Sequence, residues 1–331
     1  MYLLGAGFSA PLGIPVMRNF LMKSRDLYYS DQTKFAHFQE IFNTINELSV
    51  IKNFYSSDLF NIEEILSILE MREYLEGEEL KANFLRYLAD VINHFTPELR
   101  PYGPKLPGNW EDMLFSSFRD STWRGYGHFI STICNLIFRE SRGGYTGEYE
   151  QIYCGTDANP DVTYSIVTLN YDCVPESIVK FIKGNYNCET DVSLRIAKLH
   201  GSVDSGVIVP PTWSKGANRK IITEWKKAYD YLTQANHLRI IGYSLPTADA
   251  YVKYLLKSAV TKAPHLKAID VISLDDDGTV KRRYDEFMSF TYYRFVDKNV
   301  RDYLGSINFS GLQPKAVRFD KLEKTHMSYF T

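Results

Sequence analysis

Apolar positions divide the chain into two regimes. Between Leu12 and Glu140 they recur at helical spacing, and no stretch alternates as a strand would. Ile62, Ile65, Leu66 and Leu69 form one face of a helix that Asn61 is placed to cap, with Glu64 three residues further on. Leu80, Phe84, Leu88, Val91 and Phe95 make the stripe of a second helix, closed by Pro97. Residues 97–109 are rich in Pro and Gly and read as a loop. Phe129, Ile130, Ile133, Leu136 and Ile137 mark another helix before Gly143-Gly144. After Tyr145 short apolar runs take over. Val162–Thr168, Leu194–Leu199, Val207–Val209, Leu238–Ile241, Ala268–Ser273 and Phe290–Phe295 are predicted strands. Helical patterns separate them at Thr223–Gln234, Ala248–Ala259 and Val280–Phe287.

The first residues belong with the second regime. Met1-Tyr2-Leu3-Leu4 is apolar and runs straight into Gly5-Ala6-Gly7, the pattern of a buried strand entering a glycine turn. Four residues fall short of the usual strand of about 5–6, so the natural chain is expected to begin upstream of Met1. Strands alternating with helices predict an α/β fold: a Rossmann-like, mostly parallel sheet flanked by helices, with a large helical insertion after the first strand. On this reading residues 1–15 and 145–308 form the core and 16–144 the insertion. Residues 309–331 are a tail with no predicted structure that folds back or meets a partner.

Composition narrows the class. Hydrophobic residues make up 44% and charged residues 24%, the proportions of a chain that buries a real core. A formal net charge of −2, with both signs interspersed, does not indicate a nucleic-acid partner. The adjoining runs Asp275-Asp276-Asp277 and Lys281-Arg282-Arg283 read as solvated faces. No apolar stretch approaches the roughly 20 residues that span a bilayer, and no basic segment precedes an apolar one at the start. A soluble, cytoplasmic protein with no membrane contact is therefore expected. The cysteines, Cys134, Cys154, Cys173 and Cys188, form no C-x-x-C pair, which removes a zinc ribbon and a redox motif and leaves reduced thiols.

Candidate chemistry gathers at the predicted strand ends. Gly5-Ala6-Gly7-Phe8-Ser9-Ala10 fits G-x-G-x-x-A, in which the first glycine makes a tight turn and the second lets backbone approach a pyrophosphate. The following helix start then offers N–H groups to the anion. A dehydrogenase would continue with a second strand ending in an acidic residue about 20 positions on. Asp26 has the distance, but Leu21–Ser30 does not read as a strand. Thr168-Leu169-Asn170-Tyr171-Asp172, Leu199-His200-Gly201 and Gly242-Tyr243-Ser244-Leu245 each follow a predicted strand, where side chains face the ligand crevice of an open α/β sheet. Ser9 also suits a helix N-cap, Asn170 and Asp172 can cap the helix that follows them, and Asp249 can cap a helix or contact a ribose. His37, His94, His128, His237, His265 and His326 have no such company and read as surface or packing residues.

Taken in order, these segments resemble the sirtuin superfamily. Gly5-Ala6-Gly7-Phe8-Ser9 through Gly13-Ile14-Pro15 resembles its G-A-G-x-S-x-x-x-G-I-P loop, and Thr168–Asp172 its T-Q-N-x-D segment. Leu199-His200-Gly201 resembles its H-G pair, and Gly242–Leu245 its G-x-S-L turn. The departures are specific. Family deacylases carry two C-x-x-C zinc pairs, absent here; Val16-Met17-Arg18 stands where they have Asp-Phe-Arg, and Leu169 where they have Gln. Residues 16–140 carry no sirtuin motif. A nucleotide half without a zinc module is similar to the bacterial sirtuin-like NAD hydrolases implicated in antiphage defence by NAD depletion.

The resemblance implies an NAD+ glycohydrolase that uses NAD+ as substrate and needs no zinc. It implies Asn170 and His200 as the catalytic pair. Gly5, Ala6, Gly7 and Ser9 would hold the pyrophosphate, Thr168 would line the cofactor site, Asp172 would meet the carboxamide of nicotinamide, and Gly242 and Ser244 would face the adenosine. An imidazole, with an ordinary pKa of about 6.5, can take a proton from water or a ribose hydroxyl, and an asparagine amide can both donate to and accept from them. A homo-oligomer, with a separate trigger protein such as an ATPase, is the expected assembly. The alternatives are an NAD-dependent deacylase or ADP-ribosyltransferase, and a non-catalytic sensor of NAD or ADP-ribose.

Overall fold

The computed structural model of the chain describes residues 1–48, 62–77, 80–103, 106–117, 120–141, 151–156, 162–209, 219–247, 249–307 and 315–331. The chain opens with β1 (Tyr2–Leu4) and the single-turn α1 (Ala6–Ser9), then a helical stretch, α2 (Met17–Ser30), α3 (Phe38–Leu48), α4 (Ile62–Glu76) and α5 (Leu80–Phe95). Next come the short α6 (Trp110–Met113), α7 (Arg124–Ile133), β2 (Leu136–Glu140), β3 (Ile152–Thr156) and β4 (Ile166–Thr168). Then follow α8 (Val174–Asn185), β5 (Asn187–Cys188), β6 (Ile196–Lys198), β7 (Gly201–Ser202), β8 (Val207–Ile208) and α9 (Arg219–Thr233). The remainder is β9 (His237–Ile241), α10 (Ala250–Val260), β10 (Ala268–Ser273), α11 (Thr279–Phe287), β11 (Tyr293–Asp297), α12 (Val300–Ser306) and α13 (Lys315–Met327).

The central sheet has the order β11-β10-β9-β1-β4-β6, and every pairing within it is parallel. The fold is thus the α/β, Rossmann-like sheet with flanking helices that the alternation predicts. β1 lies in the middle, paired with β4 on one side and β9 on the other, so the glycine turn leaves from the heart of the sheet. Side chains alternate across it as a strand requires. Tyr2, Leu4, Ile166, Ile241 and Ile272 enter one core with α7, α8 and α12. Leu3, Val167, Ala197, Ile240 and Val271 enter the other with α9 and α10. Both faces are covered, as an all-parallel sheet demands.

The predicted stripes are the buried ones in the helical stretch. Ile62, Ile65, Leu66 and Leu69 of α4 pack with Phe84, Leu88 and Val91 of α5 and with Phe20, Phe38 and Ile41, forming a third core that Tyr171 and Ile208 join. The predicted cap Asn61 lies outside the described residues. Gly77, at φ +73, ends α4 in the left-handed conformation usual after a helix.

Three expectations are corrected. The helix predicted through Ile137 stops at Ile133, because Asn135 turns left-handed at φ +58. Leu136–Glu140 is then a strand, antiparallel to β3, in a separate three-stranded sheet β2-β3-β5. Its alternation is too short to show against the helical stripe before it. Val207–Val209 does not join the central sheet; Val207 and Ile208 pair with Gly201 and Ser202 in a small hairpin. Finally, the tail, for which the pattern predicts no structure, contains α13 and folds back on the sheet, one of the two courses expected of it.

Polar contacts, which a hydrophobic pattern does not register, hold α13 to the sheet. Asp270 of β10 accepts from Arg294 Nε and Nη2 at 2.7 and 2.9 Å, and its Oδ2 lies 2.9 Å from His326 Nε2. His326 Nδ1 meets the Tyr303 hydroxyl at 3.2 Å. Arg239 of β9 donates to Tyr2 and pairs with Glu323. His326, read from sequence as surface or packing, is a fully buried hinge pin of this network.

Burial holds the His326 imidazole down at about 4, against the pull of Asp270. The sign follows from linkage: between pH 4 and the unfolded value of about 6.5 the unfolded chain binds the extra proton, so stability rises with pH. The contribution is complete above that window and lost as pH falls through it, to a limit of about 3 kcal/mol. Melting measured at pH 7.5, 6 and 5 should show a progressive loss, and His326→Gln should flatten the slope across the same range. An unchanged slope in the variant would assign the pH response to other groups.

The four cysteines are free thiols, with Cys134 and Cys154 buried. No described helix is long and apolar enough to cross a membrane.

Candidate functional site

At the carboxyl edge of the sheet, β1 and β9 end side by side and their turns interlock. Gly5 N–H donates to the Ile241 carbonyl at 3.0 Å and Gly7 N–H to the Gly242 carbonyl at 2.8 Å. Gly242 N–H in turn reaches the Ile272 carbonyl of β10 at 2.8 Å. A Cβ on Gly5 would stand 2.6 Å from Gly242 O and Tyr243 Cα, and one on Gly7 2.8 Å from Gly242 O. Gly5 itself is extended, at φ −106. Its glycine is required by the approach of the β9 turn rather than by a tight turn of its own. Two amides assigned from the motif to a pyrophosphate are therefore spent inside the protein, and Ala6 is the exposed residue of the loop.

From β4 the chain delivers Thr168, Asn170 and Asp172 to the same edge. Thr168 Oγ1 accepts from Asn170 N–H at 3.1 Å, fixing the first residue of the turn. Asn170 Nδ2 then reaches across to β1's loop, donating to the Gly5 carbonyl at 3.0 Å and to Ser9 Oγ at 3.2 Å. Ser9 makes no side-chain cap bond, so the capping role open to it from sequence is not the one it has. Asp172 does serve the helix that follows: its Oδ1 accepts from Val174 N–H at the start of α8 at 3.1 Å. Burial pushes the Asp172 carboxyl above the usual carboxylate range, opposed by Lys198, Ser9 and the Val174 amide.

Lys198, the last residue of β6, is a contributor that motif reading missed. Its Nζ donates to the Asp172 carbonyl at 2.5 Å and to Glu176 Oε1 at 2.9 Å, tying the β4 turn to the end of the neighbouring strand. Its place two residues before His200, in Lys-Leu-His-Gly, was the available signal. A lysine closing a short apolar strand must carry its charge to a partner at the sheet edge.

His200 follows directly. Its carbonyl accepts from Val209 N–H at 3.0 Å, and Gly201, at φ +75, turns the chain into the β7–β8 hairpin. A Cβ on Gly201 would fall 1.8 Å from Val207 O, which explains the His-Gly pair in backbone terms. The His200 ring lies 5.9 Å from the Tyr171 ring, and Val203 N–H donates to the Tyr171 carbonyl at 3.0 Å. The hairpin thus packs on the turn that carries Asn170. From the other side, the Tyr126 hydroxyl donates to the Phe8 carbonyl at 2.6 Å.

Beyond β9, Tyr243 donates to Asp249 Oδ2 at 2.8 Å, and Asp249 makes no side-chain cap bond to α10. Ser244 is half-buried and Leu245 adopts φ +47. The structure therefore assembles Gly5, Gly7, Ser9, Thr168, Asn170, Asp172, His200 and Gly242 along one edge, from four strands far apart in sequence, with Ala6 and Ser244 on the adjoining turns. No protein-family model matches the chain, and no curated protein matches it either.

Chemically the edge offers a buried amide, a hydroxyl, an imidazole and a carboxyl on neighbouring turns. Asn170 is 7% exposed, Asp172 5% and His200 2%, so their fields act in a medium far less screened than water.

Proposed function

We propose that the chain is an NAD+ glycohydrolase that cleaves the nicotinamide–ribose bond at the carboxyl edge of its sheet. One observation carries the reading: Asn170, from the end of β4, hydrogen-bonds both the Gly5 carbonyl and Ser9 of the β1 loop. This joins the two sirtuin-like segments most concerned with the cofactor. The hairpin bearing His200 packs on the same turn through Tyr171.

In this reading nicotinamide leaves as the neutral base while its C–N bond to ribose breaks and positive charge develops on the sugar. Water adds to the anomeric carbon. Its proton passes to His200 and on to solvent, so NAD+ and water give nicotinamide, ADP-ribose and a proton. Asn170, with its Nδ2 hydrogens given to Gly5 and Ser9, accepts from the ribose hydroxyl or the water through its Oδ1. Asp172, buried and already accepting from Val174 N–H and the Ser9 hydroxyl, meets the carboxamide through a lone pair that these leave open. With two loop amides spent on Gly242 and Ile241, the diphosphate is left to Ala6 and the rim of α1. Because these side chains are nearly closed to water, nucleotide entry has to part the groups that cover them.

Incubating the purified protein with NAD+ alone tests the reading. Release of equimolar nicotinamide and ADP-ribose without any peptide is expected. Consumption only when an acylated peptide is added would instead mark a deacylase, and binding without product a sensor.

A further inference from the structure

A second concentration of charge lies at the opposite, amino edge of the sheet. A cavity of about 490 Å3 opens there, within the range of roughly 300–1,000 Å3 usual for small-molecule sites. Arg195 stands just before β6, His237 opens β9 and Lys267 stands just before β10, and all three line it. Arg239 of β9 lines it as well. Glu323 is the one carboxylate in its wall among the described residues, and it is already paired with Arg239.

The balance is therefore basic. Arg195 and Lys267 are exposed at the cavity and make no ion pair among the described residues. Arg195 lies over the Tyr231 ring at 5.1 Å, which holds its guanidinium plane in place. Arg239 is 4% exposed; its terminal nitrogens serve Tyr2 and Glu323, while its buried Nε–H has no acceptor among the described residues. A buried guanidinium N–H without an acceptor is costly, and an anionic oxygen is the partner its planar fork suits.

We propose that this cavity binds a phosphate-bearing small molecule of nucleotide size, its phosphate oxygens taken by Arg195, Arg239 and Lys267. The site is independent of the glycohydrolase reading, since it uses none of the residues at the carboxyl edge.

Calorimetric titration with inorganic pyrophosphate and with ADP, at low ionic strength, tests it. Saturable binding of both probes is expected. Arg195→Gln/Lys267→Gln should weaken it by about tenfold or more, as loss of two charge-assisted contacts implies. Lys267→Gln alone, which leaves the Arg195–Tyr231 contact untouched, should weaken it about threefold or more. Asn170→Ala should leave pyrophosphate affinity at the wild-type level. No binding of either probe by the wild type, or an affinity unchanged in the double variant, would overturn the proposal. So would loss of pyrophosphate binding in Asn170→Ala, because the anion would then sit at the carboxyl edge. NAD+ consumption measured on the same double variant reports on the glycohydrolase reading alone.

Discussion

Asn170→Ala is expected to reduce NAD+ consumption by about a hundredfold or more, the effect of removing one preorganised polar group from a reacting centre. Asn170 is 7% exposed and its side chain spans the two turns, so its loss also removes two hydrogen bonds, although the Gly5 carbonyl keeps Phe8 N–H and the Ser9 hydroxyl keeps Asp172. That structural part should cost about 1–3 kcal/mol of stability. Catalytic and structural roles separate in a comparison with Ser9→Ala, which removes one of the two Asn170 contacts while keeping the amide. Ser9→Ala should show the smaller loss of turnover. His200→Ala should match Asn170→Ala in activity while keeping the hairpin, because Gly201 and the Val209–His200 backbone bond do not depend on the ring. Wild-type turnover in both Asn170→Ala and His200→Ala would remove the glycohydrolase assignment.

Replacing Gly242 by alanine should have the largest effect on the fold. The residue sits at φ +65, where an L side chain is strained, and its Cβ would lie 2.3 Å from Phe8 N and 2.5 Å from Gly7 C. Those neighbours are backbone atoms of the β1 loop and cannot rotate away. The interlocked turns would have to separate, breaking the Gly7–Gly242 and Gly5–Ile241 bonds together. A loss on the order of 3–5 kcal/mol is expected, placing this change in the severe class of point substitutions. In melting experiments that is a drop on the order of 10 °C. Gly184→Ala is the matched control. It lies in α8 with nothing within 4 Å of its added Cβ, and should be neutral or stabilising by up to about 1 kcal/mol. Equal melting of Gly242→Ala and wild type would show that the two turns are not packed as closely as described.

Much of the central sheet was legible from local pattern. A strand buried on both faces has to be a short apolar run, and six such runs appear at or near β1, β4, β6, β9, β10 and β11. The stripes of α4 and α5 were legible for the same reason: a helix with one buried face repeats its apolar residues every three or four positions. Candidate polar residues stood out because each follows such a run, and parallel strands bring all their carboxyl ends to one edge.

What the sequence could not decide depended on partners remote in the chain. Leu136–Glu140 is a strand because Ile152–Thr156 lies beside it, and no local period distinguishes it from the end of α7. The tail became a helix in its buried place through His326, Asp270, Arg239 and Glu323, polar contacts between segments more than 50 residues apart. Gly5 and Gly7 stand out in the motif, but what requires glycine at both lies at Gly242, remote in the chain. Lys198 gained its place only when β6 came to rest beside β4 and offered it the Asp172 carbonyl. Periodicity records which residues leave water. Which atoms then meet is settled by register and crossover between strands, a property of the assembled sheet and of no single segment.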